Sequence, residues 1–265
     1  MGCGSSTSRF ARRALWKPVF AGASALAMAM LSVVSVAVQE PPKIGDADLL
    51  ESGTPRSIPN ISGVWQNRGY ERDIKPVEGG PPPWQPWNEN AHAERVAAEK
   101  AGRPLYDPTA ACQPSGTPRI IAAPYPVEIV QTRDTTVFLY EVQHQFRVVH
   151  MNAKHPAKVE PSFLGHAIGQ WEGDTLVIDT VGLVKETQID EGGTLHSDQL
   201  HVVERIRKVN DTLEILFTIE DPKAFTKPWA ARRIWHWRPD VRFLEYVCEE
   251  NNRNAPDQNG VLKNF

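Results

Sequence analysis

Residues 165–205 read GHAIGQWEGDTLVIDTVGLVKETQIDEGGTLHSDQLHVVER, and the middle of this stretch decides the fold class. TLVIDT at 175–180 is β-branched and apolar enough to be a strand, and WEGD at 171–174 ahead of it is a tight turn. The Gly-containing loop 181–193 follows. It delivers His196, Ser197, Asp198, His201, Glu204 and Arg205 in quick succession. A strand-anchored loop loaded with titratable groups is where chemistry is expected.

Outward from this stretch a two-residue period recurs. Residues 127–133 and 136–142 read as a hairpin about Asp134 and Thr135, 145–151 as a third strand, and 159–169 as a loop. Residues 201–209 turn at Asn210 and Asp211 into 213–220, and 231–237 turn at residues 238–240 into 241–249. In 213–220 the set Leu213, Ile215, Phe217, Ile219 is wholly apolar, so one face is core and the other wet. ISGVWQ at 61–66 opens the first strand, and its Gly-x-Trp resembles the start of lipocalin-like barrels. The one helix is at 88–101, capped by Asn88 or Asn90 and stopped by Gly102 and Pro104, with His92 on its solvated side. Sequential hairpins with almost no helix predict an all-β fold, an antiparallel lipocalin-like (calycin-type) barrel with one short surface helix. Closure removes the edges that a long meander would expose. A two-sheet β-sandwich is the alternative.

The N-terminus carries a basic segment (Arg9, Arg12, Arg13, Lys17), then a charge-free apolar run to Val38, with a small-x-small cleavage signal at Ser35-Val36-Ala37. This is the pattern of a bacterial signal peptide, and the Arg12-Arg13 pair fits a twin-arginine route. The expected organisation is signal peptide 1–37, flexible leader 38–59, β-barrel domain 60–250 and C-terminal tail 251–265, in a periplasmic or secreted protein. Of three cysteines, Cys3 leaves with the signal peptide, and Cys112 and Cys248 most simply form one disulfide. A net charge of −3 gives no electrostatic case for nucleic acid. Membrane contact is expected only through the export signal.

Seven of the eight histidines fall between residues 144 and 236. No HExxH or CxxC-type spacing appears, so no metal is the first expectation, with a metal ion as the alternative if the segment between His196 and His201 folds back; no organic cofactor is expected. Acid–base chemistry needs a tuned imidazole, a carboxylate to orient it and a cation for developing charge. His196, Asp198, His201, Glu204 and Arg205 supply these types, with His166 as a further partner. The competing reading makes Glu204–Arg205 a surface ion pair and Asp198 a turn cap. Asp179, within TLVIDT, sits either at the strand's wet end or buried with a partner, where its pKa would rise. Trp235, Trp237, Arg233 and His236 suit a ligand-binding wall with aromatic and polar positions. The functional expectation is an exported enzyme of lyase or isomerase type acting on a small aromatic or glycosidic molecule. A lipocalin-like carrier without turnover is the alternative, and the Trp/Pro segment 81–88 offers a third role as an interaction surface.

The segments ISGVW, GHAIGQWEGDTLVIDT, HSDQLHVVER, DPKAFTKPW and EYVCEEN resemble an uncharacterised family of exported bacterial β-rich proteins. That resemblance implies export and a β-rich domain over about residues 58–252, and brings no activity or site residue with it.

Overall fold

The computed structural model describes residues 58–248 and 250. The expected signal peptide, almost all of the leader and the C-terminal tail lie outside the described residues. Nine strands close into one barrel in chain order: β1 (Gly63–Asn67), β2 (Pro126–Gln131), β3 (Thr135–Tyr140), β4 (Gln145–Met151), β5 (His166–Glu172), β6 (Thr175–Val181), β7 (His201–Val209), β8 (Thr212–Glu220) and β9 (Trp229–Trp237). The sheet thus closes on itself rather than splitting into a sandwich.

Two expectations are corrected. The barrel is not antiparallel throughout, because β4 and β5 run parallel, with Val149 opposite Ala167 and Met151 opposite Gly169. A tight turn forces antiparallel pairing, whereas residues 152–165 are long enough to carry the chain back outside the barrel before β5 begins. Strand β5 also starts at His166, inside the stretch expected to be loop. The second correction concerns 241–248, which forms no strand. Strand β9 takes its second partner from β1, Trp65 opposite Trp237, and so has no free edge for a hairpin there.

Alternation fills the interior. Leu213, Ile215, Phe217 and Ile219 of β8 are fully buried, together with Trp65, Phe138, Leu176, Ile178, Val202 and Ile206. Trp65 donates from Nε1 to Ile61 O and meets Trp237 edge to face at 5.0 Å. Among the described residues a charged pair lies within these apolar groups: Arg147 of β4 and Glu204 of β7, with side chains 1% and 2% exposed, Arg147 Nη2 donating to both Glu204 Oε1 and Thr180 Oγ1.

Connections cover the barrel. Helix α1 (Pro86–Lys100) begins two residues earlier than expected because Pro86 suits the first turn. Asn88 does not cap it: its Nδ2 donates to Leu195 O and Ala224 O, at 2.9 and 3.3 Å, tying the helix to two loops. His92 is not simply solvated, since it stacks on Trp84 at 4.6 Å. The short helix α2 (Arg119–Ala122) turns Ile120 and Ile121 inward, and Ile121 O accepts from Trp235 Nε1.

Cys112 and Cys248 are joined by a disulfide across 136 residues of sequence, with Cα atoms 5.5 Å apart. Such a bond is consistent with an oxidising, exported location. It ties the irregular 241–248 segment to the body of the protein. Replacing both cysteines with serine is expected to lower stability by about 2–4 kcal/mol in urea unfolding. Among the described residues no helix is long and apolar enough to cross a membrane.

Candidate active site

Strand parity decides which ionisable groups can meet. On β7, Val202, Glu204 and Ile206 point inward, so His201 and Arg205 point outward. On β6 the inward set is Leu176, Ile178 and Thr180, which leaves Asp179 on the outer face. On β5, Ala167 and Gly169 face inward and His166 outward. The registers Asp179 opposite Val203 and Ile168 opposite Asp179 place His201 and His166 as diagonal neighbours of Asp179. His150 on β4, opposite Ile168, is diagonal to His166 in turn. Four adjacent strands therefore carry a row of polar side chains across the outer face, at spacings that such side chains can span.

The loop 152–165 completes the row. It is pinned by Asn152 N to Gly169 O at 2.7 Å and Ser162 N to Gly182 O at 3.0 Å. Gly182 has a positive φ of 70°, and a Cβ there would lie 2.3 Å from Val159 Cγ1, so glycine is what lets the loop lie against the end of β6. Gly165, at φ 69°, turns the chain into β5 where a Cβ would press on Thr180 and the carbonyl of Val181. Held this way, the loop sets His155 beside Asp179.

The result is a continuous hydrogen-bonded chain. Asp179 Oδ2 meets His201 Nε2 at 3.0 Å, Asp179 Oδ1 meets His155 Nε2 at 2.8 Å, and His155 Nδ1 meets His166 Nδ1 at 2.8 Å. The rings of His166 and His150 stack with centroids 5.2 Å apart. A carboxylate only accepts, so both histidine Nε2 atoms on Asp179 carry protons. With its one proton on Nε2, His155 has a lone pair on Nδ1 and accepts the Nδ1 proton of His166. This leaves His166 with an unprotonated Nε2 that takes no hydrogen bond from the described residues.

Burial pushes the Asp179 carboxyl up, but the hydrogen bonds from His155 and His201 outweigh it and hold the group below its ordinary value, opposite to the rise expected for a buried acid in this strand. Burial, and the neighbouring His155 and His150, lower the pKa of His166, so its ring is neutral near pH 7. Beside it lies an open groove of about 550 Å³ where β5 stops short of the start of β4. Phe146, Val148, His150, Leu164 and His166 line it, and Phe146 is 66% exposed.

The candidates read from the sequence do not converge. His201 and His166 join the row. His196 is buried, with Nδ1 bonded to Ser197 O at 2.9 Å and Nε2 to Thr187 Oγ1 at 2.8 Å, so neither nitrogen is free for proton transfer. Asp198 lies on the surface against Lys223 at 2.8 Å, and Arg205 on the surface against Glu172 at 2.8 Å. Glu204 faces the interior, opposite to its neighbour Arg205. Of the expected ligand wall, Trp235 and Trp237 belong to the barrel's packing, while Arg233 and His236 border a separate groove. His150 and His155 belong to the histidine excess between residues 144 and 236, and no spacing motif marks either as part of a site. His155 sits in a loop with no period to place it, whereas the parity of Asp179 and His201 was available from strand alternation alone.

Burial lowers the pKa of His196. Its folded pKa lies below the unfolded 6.5, so the unfolded chain binds the proton more readily; the stabilisation is complete above about pH 6.5 and is lost as pH falls. Urea unfolding at pH 7.5 and 5.5 is expected to show a smaller loss in His196→Gln than in wild type.

No protein-family model matches the chain, and no curated protein matches it either.

Proposed function

We propose that this protein is an exported enzyme that moves a proton on a small, partly aromatic or glycosidic molecule held in the groove beside His166, a lyase or isomerase reaction without an organic cofactor. The observation that carries this reading is the chain Asp179–His155–His166, which ends at a histidine lining an apolar groove, its Nε2 without a hydrogen bond from the described residues. His166 Nε2 takes a proton from carbon or hydroxyl. The positive charge that forms is shared through Nδ1–H to His155 and stabilised by Asp179, which orients the relay as a carboxylate orients a general base. His150, stacked on His166 and exposed, is placed to return a proton to the product. Phe146 and Leu164 supply apolar contact, which suits an aromatic or sugar face. His201 holds the second oxygen of Asp179 and fixes the carboxylate's orientation.

The exposed Phe146 also favours a second reading, a lipocalin-type carrier that uses the same groove without turnover. Incubating the protein with a panel of small aromatic and sugar carbonyl compounds in D2O, followed by mass spectrometry, separates the two. The enzyme reading expects time-dependent deuterium uptake in at least one compound, abolished in His166→Ala. Binding without deuterium uptake, unchanged in His166→Ala, supports the carrier.

A further inference from the structure

A second groove, of about 420 Å³, lies against β9 on the side from which β1 has departed, and Asn67, Arg68, Glu71, Lys75, Arg232, Arg233 and His236 border it. Its position follows from the barrel's closure. Strand β1 pairs with β9 only as far as Asn67 opposite Trp235. The chain then leaves the sheet and rejoins β9 at Val77, whose N–H donates to Ala230 O at 2.8 Å. Between these points the edge of β9 faces the groove.

The charge there is one-sided. Arg68, Lys75 and Arg232 form no ion pair with the described residues, while Glu71 pairs with Arg233. Arg233 is 7% exposed. Its Nη1 donates to Arg232 O at 2.9 Å and lies 3.4 Å from Glu71 Oε2. Its Nε and Nη2 have no acceptor among the described residues. That edge of a guanidinium donates two parallel N–H bonds and matches the spacing of oxyanion oxygens. Leaving it unpaired when buried is costly, so an acceptor from beyond the described residues would be stabilised there. Glu71, with a side chain 63% exposed, is the one carboxylate among the described residues lining the groove, and it lies against Nη1, the nitrogen beside that edge.

We propose that this groove binds a multiply charged oxyanion group, a phosphate or sulfate, with Arg68, Lys75 and Arg232 gathering it and Arg233 gripping it once Glu71 swings to solvent. The site is independent of the His166 groove.

Titration with inorganic phosphate at constant ionic strength, followed by calorimetry, tests this. Saturable binding is expected. Lys75→Glu/Arg232→Glu, both outside the core, should weaken it at least tenfold, and Glu71→Gln should strengthen it several-fold. Lys154→Glu/Lys158→Glu, which reverses two charges elsewhere, should leave it unchanged. Arg233→Lys keeps the charge but loses the two-pronged edge, and should weaken binding if it folds. An equal response to chloride, or phosphate binding that survives Lys75→Glu/Arg232→Glu, overturns the proposal.

Discussion

Glu204→Leu is expected to cost about 3–5 kcal/mol of folding stability, because it leaves the Arg147 guanidinium charged and unpaired inside the barrel. Burial works against that charge, and Glu204 outweighs burial and keeps Arg147 protonated. Among the described residues the guanidinium bonds through Nη2 to Glu204 and Thr180, beside the buried Tyr140, in a side chain 1% exposed. Replacing both partners, as Arg147→Met/Glu204→Leu, removes the charge as well as the bridge and should recover most of the loss. Urea unfolding of the three variants at one pH measures this. A double variant as unstable as Glu204→Leu would mean that the pair is needed for something other than mutual neutralisation, such as setting the register of β4 against β7.

The second large effect concerns the proton relay. Any proton transfer in the groove should fall about 10²–10⁴-fold in His166→Ala, the range a positioned general base supplies. Asp179→Asn should be nearly as damaging although it is isosteric. Its amide has one donor end and one acceptor end, so it cannot accept from both His155 and His201. Where the amide nitrogen faces His155, that ring must carry its proton on Nδ1 and point it at His166 Nδ1. His166 is then protonated on Nε2 and has lost the free nitrogen. Asp198→Ala and Arg205→Ala, which remove surface ion pairs, should leave turnover unchanged.

Much of the barrel is written in local patterns. The hairpins 126–140 and 201–220 and strand β6 after its turn follow from period-two alternation and short polar turns, whereas residues 166–169 of β5 read as loop; Asn210 takes the positive φ of 52° that its turn requires. What local pattern does not carry is partner choice between distant strands. Nothing in 145–172 marks β4 and β5 as parallel, because that depends on where a fourteen-residue loop lays its chain. Likewise, 241–248 has strand-like composition but no edge to join, since β1 has already taken it.

The site shows the same division. His196 to Arg205 looked like one cluster because the residues are contiguous, yet alternation sends His201 and Glu204 to opposite sides of one strand. Asp179 stood out as an acid in an apolar run. Its partners lie 24 and 22 residues away, one in a loop and one across a strand pair. The pairing of His155 with His166 needs the pinned loop, which two glycines with positive φ make sterically feasible.

The central claim is that Asp179, through His155, leaves His166 with its proton on Nδ1 and a bare Nε2 at the groove. Long-range ¹H–¹⁵N correlation spectra of the imidazole rings at pH 7.5 read this directly. His155 should appear as the Nε2–H tautomer and His166 as the less common Nδ1–H tautomer, with a midpoint below 6.5 that moves in Asp179→Asn. A His166 ring protonated on Nε2, or one that titrates at 6.5 and ignores Asp179→Asn, would contradict the account.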